Sequence, residues 1–395
     1  MKYFIFSLSL LFIIIITAAI SFSRKDMLRR ARPIIIILSI EFITTLVLMH
    51  TSAGENSLNY IESRIEHLIH YANQGINFVF GEITNKSSPA FIVVALLPLV
   101  FICSLIGLLK HFKILNIFII IIGSSINRIS KLGKLESFAA VNTIAVGMTA
   151  VYVSIKEYIP RLTQPQMYTI AACSLSTVDL AILGAYTQML EPRYVFIGVC
   201  LNFFSTIIIV SLINPSEPAA VNASLHPEAE GNKKSFFEML IEHMQDGFKV
   251  LLAVVPALLG FIALIAMLND IFSYALGKTF QELIGYLFSP FAFLMGIPWN
   301  ETIKMGQVIA TKIMANEFVA IIEFIKMTSI DTRSEAIMSV FLISFSNLGS
   351  IAMIIGCVSN ISKEHGKMIA SNSFRLIVGS TLVSFLSSSI VGIVI

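Results

Sequence analysis

Residues 133–158 read GKLESFAAVNTIAVGMTAVYVSIKEY, and residues 301–326 read ETIKMGQVIATKIMANEFVAIIEFIK. Both are apolar stretches with a polar break near the middle: Gly147 to Thr149 in the first, Asn316-Glu317 in the second. Each arm is shorter than the roughly 20 apolar residues a membrane span needs. A helical hairpin that enters the membrane partway and returns fits better. Backbone groups at such a tip are tolerated only where they face protein, water or cargo.

An interrupted apolar segment follows each hairpin. The first interruption is Ser174-Leu175-Ser176-Thr177-Val178-Asp179, and the second is Ser344-Phe345-Ser346-Asn347-Leu348-Gly349-Ser350. Ser174 and Ser176 align with Ser344 and Ser346 at one fixed offset, and one more span follows each interrupted one. An odd number of spans separates the two units, so the second is inverted relative to the first. Paired broken helices in an inverted repeat point to a secondary transporter with its site at the midplane. The plainer alternative is that Ser and Gly only kink these helices. Two breaks at one offset, each preceded by a hairpin, argue against it.

Composition agrees. Of 395 residues, 56% are hydrophobic and only 13% charged, about half the charge of a soluble chain. Candidate spans fall near 2–21, 33–50, 89–110, 164–190, 194–214, 245–270, 334–358 and 370–395. Residues 58–80 carry Ile61, Ile65, Leu68, Ala72, Ile76 and Val79 at helical spacing with polar residues between. They read as an amphipathic interfacial helix, and 111–130 read as a second. Residues 2–21 read as a first span with the N-terminus outside, because the basic run Arg24 to Arg32 follows the apolar core, whereas a cleavable signal carries its charge before it. Basic residues crowd the loops that this orientation places inside. The polar stretch 214–235 divides the chain. The organisation expected is a scaffold with an interfacial helix in 1–110, a first hairpin unit in 111–215, a polar loop and long scaffold helix in 216–297, and a second hairpin unit in 298–395.

Several functions find no support in the sequence. Seven scattered His show no metal-ligand spacing, and Cys103, Cys173, Cys200 and Cys357 lie in apolar segments, as small buried residues do. There is no nucleophile–base pair and no phosphate loop, which argues against an enzyme. A net charge of +3 does not suggest nucleic-acid binding.

A set of short motifs resembles the concentrative nucleoside transporters, above all their bacterial proton-linked branch (the NupC type). They include Gly133-Lys134-Leu135-Glu136-Ser137-Phe138, Gly184-Ala185-Tyr186, Ser211-Leu212-Ile213-Asn214-Pro215, Ala310-Thr311-Lys312, Asn316-Glu317-Phe318-Val319-Ala320 and Gly379-Ser380-Thr381-Leu382-Val383-Ser384. The resemblance runs from the first span to Ile395. It implies an all-α polytopic membrane protein with eight spans and two re-entrant hairpins. It further implies a homotrimer in the inner membrane and an elevator-like movement of the hairpin region past a scaffold of the first three spans and the sixth.

The resemblance also assigns residues. Glu317, Asn347 and Ser350, with Phe345 beside them, would hold the ribose hydroxyls. The chemistry suits vicinal hydroxyls, since a carboxylate accepts two hydrogens and an amide both gives and takes. The alternative for Glu317 is an internal ion pair with Lys312 or another cation. The first hairpin departs from the family, whose tip reads Gly-Gln-Ser/Thr-Glu; here it is Gly147-Met148-Thr149-Ala150. Met148 and Thr149 would face the base, and Asp179, where relatives carry a small residue, would replace the lost carboxylate. The alternative for Asp179 is a helix-end acid that never meets cargo. Thr143 stands where sodium-linked members carry Asn, which favours proton coupling, with Glu317 or Asp179 as carrier. Sodium, held by Thr143, Val146, Ser176 and Thr177, is the alternative. The function implied is nucleoside import by cation symport. A same-fold symporter with another ribosylated or nucleobase-like cargo is the second reading.

Overall fold

The computed structural model describes residues 2–81, 91–215 and 235–395. The expected polar loop therefore lies almost entirely outside the described residues. Every regular element among them is helical. Helices α1 (Lys2–Ile20) and α2 (Ala31–His50) are the first two apolar spans. The amphipathic helix α3 (Ser52–Phe80) follows at once, its start capped by the Thr51 hydroxyl, which accepts from the Gly54 N–H at 3.0 Å. Its buried stripe includes Leu58, Ile69, Ala72 and Ile76.

Two units of like design come next. The first has the span α4 (Pro98–His111), the amphipathic α5 (Ile114–Ser130), the hairpin α6 (Lys134–Val146) and α7 (Ala150–Ser154), the broken span α8 (Gln164–Ser176) and α9 (Leu180–Tyr186), and the span α10 (Pro192–Ile213). The second has the span α11 (Phe236–Leu276), α12 (Phe280–Leu294), the hairpin α13 (Thr302–Met314) and α14 (Glu317–Ile325), the broken span α15 (Thr332–Leu342) and α16 (Leu348–Ile361), then α17 (Lys363–Ser371) and the span α18 (Ser373–Val394).

Three features differ from the sequence reading. The span expected at 245–270 is part of a 41-residue helix, about 60 Å long at 1.5 Å per residue, twice the thickness of a hydrocarbon core. Helix α12 was not expected, and it completes the repeat as the counterpart of α5. The loop expected at 359–368 is mostly the helix α17, capped by the Ser362 hydroxyl.

Small residues set the packing. Gly107 of α4 lies against His243 of α11, and a Cβ at Gly247 would come within 2.8 Å of the Val100 backbone, so the two spans touch closely. Helices α12 and α13 cross glycine on glycine: a Cβ at Gly285 would meet the Ile303 carbonyl at 2.8 Å, and one at Gly306 would overlap the Gly285 carbonyl. Such contacts trade side-chain bulk for backbone approach, the main source of helix association in lipid. The serine-rich α18 is buried because its hydroxyls bond back to carbonyls one turn earlier: Ser387 to Val383, Ser388 to Ser384 and Ser389 to Phe385. The span α2 is tied to this core by Glu41, fully buried, which accepts from Ser205 of α10 at 2.5 Å, while Ser387 Oγ of α18 stands 2.9 Å from Ser205 Oγ.

Candidate functional site

The tip of the first hairpin is made by Gly147. Its N–H closes α6 on the Thr143 carbonyl at 2.9 Å, and its φ of 98° with ψ of 167° is a conformation open essentially to glycine alone. Asp179 abuts this tip. A Cβ at position 147 would stand 2.9 Å from Asp179 Oδ2. The other carboxylate oxygen caps α9, accepting from the Ile182 N–H at 2.9 Å. Asp179 is thus a helix-end acid whose second carboxylate oxygen lies against the hairpin tip. Met148 is buried at the tip and Thr149 is exposed. The Thr149 carbonyl accepts from the Cys357 thiol of α16 at 3.6 Å, so the first tip touches the second broken span.

The second half of the site is built from two helix starts. Asn316, extended at φ −166°, caps α14 by accepting from the Val319 N–H at 2.9 Å, which leaves Glu317 as the first helical residue. Asn347, at φ −147°, caps α16 by accepting from the Ser350 N–H at 2.7 Å. The Asn347 amide then donates to Glu317 Oε2 at 2.8 Å. A carboxyl side chain is thus set where the positive ends of α14 and α16 meet, the pole of each helix dipole that favours its charged form. Glu317, Phe345, Asn347 and Ser350 are all buried, at 4%, 4%, 2% and 2% exposure. A carboxylate at membrane depth costs about 3 kcal/mol or more unless so held.

The structure separates Glu317 from the ion pair proposed as its alternative. The Lys312 ammonium donates instead to the Phe341 carbonyl, to Ser344 Oγ at 2.7 Å and to Ser384 Oγ at 3.3 Å. The break after α15 is stitched to α18 by Ser344–Ser384 and Ser346–Ser380, each 2.8 Å.

Tyr186 joins the halves. Its hydroxyl is buried, makes no well-formed hydrogen bond, and faces Glu317, with Asp179 also within electrostatic reach. Its ring packs on Phe318 at 5.3 Å, and Phe318 packs on Phe91 at 6.2 Å. Nothing in the sequence places Tyr186 at the site beyond its membership of the Gly184-Ala185-Tyr186 motif.

The oxygens singled out for a cation lie in the first unit. Thr143 Oγ1 donates to the Ala139 carbonyl at 2.9 Å and stands 3.5 Å from Ser174 Oγ. Thr177 Oγ1 donates to the Cys173 carbonyl at 2.9 Å. Ser176 Oγ is buried and has no hydrogen-bond partner. Unwinding begins only after Ser176, at Thr177 to Asp179, so the actual break is shorter than the polar word that announced it. In the second unit the break spans residues 343–347.

Comparison with known proteins agrees with this architecture. Residues 194–392 match the family model described as Na+ dependent nucleoside transporter C-terminus, and residues 8–83 match the N-terminus of the same family. The purine nucleoside transport protein NupG of Bacillus subtilis is 31% identical over 365 residues, covering 92% of this chain and 92% of NupG. The nucleoside permease NupC of Helicobacter pylori is 25% identical, covering 88% of this chain and 87% of its own. The structure of CNTnw in an inward-facing substrate-bound state matches at a TM-score of 0.93 and 26% identity, over 100% of this chain and 98% of that one. A CNTnw double variant in an outward-facing state matches with the same TM-score of 0.93. These proteins are transporters, not enzymes, and their bacterial members together with the long apolar helices place the chain as a multi-pass protein of the inner membrane. With that architecture and these relatives, the chain belongs to the concentrative, Na+ dependent nucleoside transporter family.

Proposed function

We propose that this chain carries nucleosides into the cell by symport with a monovalent cation, the hairpin units moving elevator-fashion past a scaffold built on α4 and α11. One observation carries the reading most: Asn347 holds Glu317 at 2.8 Å in the second break, at the starts of two helices. A carboxylate and an amide so fixed match the vicinal hydroxyls of a ribose, which donate to the one and exchange with the other. Met148, Thr149 and Asp179 at the first tip, with the buried Tyr186 hydroxyl, form the end that would read the base.

The cation we favour is sodium. The buried Ser176 oxygen without a partner, next in the chain to Thr177 and two residues from Ser174, whose Oγ stands 3.5 Å from Thr143 Oγ1, is an oxygen donor of the kind a hard cation takes, and the family description names Na+. The sequence reading favoured protons instead, and Thr143 in place of an amide remains the observation on that side. We also propose a homotrimer. Helix α11 leaves Leu252, Leu259, Ile262 and Met267 exposed along an apolar flank suited to neighbouring copies or to lipid.

Uptake into proteoliposomes under imposed sodium or proton gradients tests the reading. Purine and pyrimidine nucleosides should accumulate against their concentration difference, and Glu317→Gln should abolish it. Tight binding without accumulation would sink symport. Failure of every nucleoside to compete would transfer the mechanism to another ribosylated or nucleobase-like cargo, the reading that Met148 and Ala150 at the tip support.

A further inference from the structure

The two units can be compared at their hairpins. Both first arms end in the same way: the Gly147 N–H bonds the Thr143 carbonyl and the Ala315 N–H bonds the Thr311 carbonyl, each at 2.9 Å. Aligned on these caps, Lys312 falls one residue past the Thr143 position, in the same last turn. Each turn faces the first serine of the break that follows. Thr143 Oγ1 stands 3.5 Å from Ser174 Oγ, and Lys312 Nζ stands 2.7 Å from Ser344 Oγ, the serine that aligns with Ser174. The first unit thus meets hydroxyl with hydroxyl. The second meets hydroxyl with an ammonium.

The surroundings of that ammonium are those of a bound cation. Lys312 has no exposure to solvent. Its partners are a main-chain carbonyl and two hydroxyls, those of Phe341, Ser344 and Ser384, and the Phe341 ring lies 4.4 Å from Nζ. Among the described residues no carboxylate lies within ion-pair distance; Glu317 acts on it only through space. A buried ammonium is normally paired with an acid, because desolvation is otherwise uncompensated. Here neutral oxygens do the compensating, as they do for a hard monovalent cation, and the aromatic face adds an attraction that such a cation also feels.

We propose that the Lys312 ammonium is a built-in cation, filling in the second unit the place that the mobile coupling cation takes in the first. The proposal rests on the symport reading above and extends it. In its charged form the tethered ammonium holds the second break closed by its bonds to Phe341, Ser344 and Ser384, while the first break, with Ser174 Oγ 3.5 Å from Thr143 Oγ1 and Ser176 unpaired, depends on a cation that comes and goes. One mobile cation per cargo follows from this, because the second place is already taken.

The test is read on thermal midpoints of the purified protein, with choline chloride holding ionic strength constant. Lys312→Ala empties the place and leaves its oxygens. Its midpoint should start below the wild type's and climb with sodium or methylammonium chloride beyond any response of the wild type, since ligands that bind only the folded state raise stability by mass action. Lys312→Met removes the charge but fills the space, so its midpoint should stay low in both salts. Lys312→Ala responding to cations no more than wild type, or Lys312→Met matching wild type in midpoint and uptake, would overturn the proposal. Thr143→Lys is the reciprocal variant, and it stands if Lys312→Ala fails to survive purification. It should make nucleoside movement indifferent to imposed cation gradients, and gradient-driven accumulation by this variant would also overturn the proposal. Lack of accumulation by the wild type counts against symport itself, and leaves the midpoint result to be read independently.

Discussion

Asp179 Oδ2 lies against Gly147, close enough that a Cβ on the glycine would stand 2.9 Å from it. A helix cap of one broken span therefore presses on the tip of the hairpin before it. Gly147→Ala should suffer twice, from the crowding and from a φ of 98° that alanine resists. The backbone strain alone is on the order of 1–3 kcal/mol. We expect a lowered thermal midpoint and strongly reduced uptake. A midpoint equal to wild type would show that the tip relaxes freely.

Asp179 has two tasks that substitution can separate. Asn caps helices about as well as Asp, so Asp179→Asn should keep the midpoint while changing the ranking of purine against pyrimidine competitors. Asp179→Ala should lose about 1 kcal/mol from the missing cap. If Asp179→Asn and Asp179→Ser both keep wild-type selectivity, the residue is a cap and nothing more.

The ribose assignment predicts a pattern across cargo as well as variants. Glu317→Gln keeps the shape but loses charge-assisted acceptance, a contribution of about 1.5–3 kcal/mol, so affinity should fall roughly tenfold to a hundredfold. Asn347→Ala should lose the α16 cap as well. In the wild type, nucleosides lacking one ribose hydroxyl should bind more weakly, and in Glu317→Gln that penalty should shrink. An undiminished penalty would place the sugar elsewhere.

Tyr186→Phe removes a buried hydroxyl that makes no well-formed hydrogen bond and faces Glu317. The variant gives up at most a weak contact, so its stability should stay close to wild type. If the hydroxyl meets cargo, affinity falls although stability does not. Unchanged affinity in isothermal titration would return Tyr186 to a packing role on Phe318.

Much of this was legible in the sequence, for a physical reason. Hairpin tips and unwound turns in a membrane need Gly, Asn and Ser where lipid-facing helix needs none, so Gly147, Asn316 and Asn347 stand out against apolar neighbours. The breaks were harder to delimit. Ser174 was read as unwound but stays helical, because its hydroxyl bonds back to the Ile170 carbonyl at 3.0 Å, and the chain leaves the helix only at Thr177. Helix α12 escaped notice because it is too short to span and carries Pro290. Its signal was the capping box of Thr279 and Glu282, with Gly285 where the neighbouring helix crosses. Tyr186 was hidden in a different way: its ring looks like any buried aromatic, and only the fold shows its hydroxyl between two acids from opposite units.

The crossing of α12 and α13 through Gly285 and Gly306 has a mechanical meaning. Backbones so closely seated cannot slide on each other, so whatever displaces the second hairpin must drag α12 along as one rigid piece. In the elevator cycle proposed above, the pair would swing at Gly277, whose left-handed φ of 70° ends the long helix in open space, against the Asn269–Gln281 bonds that cross it. Under that proposal, stiffening this one residue should slow uptake without touching the groups that hold cargo.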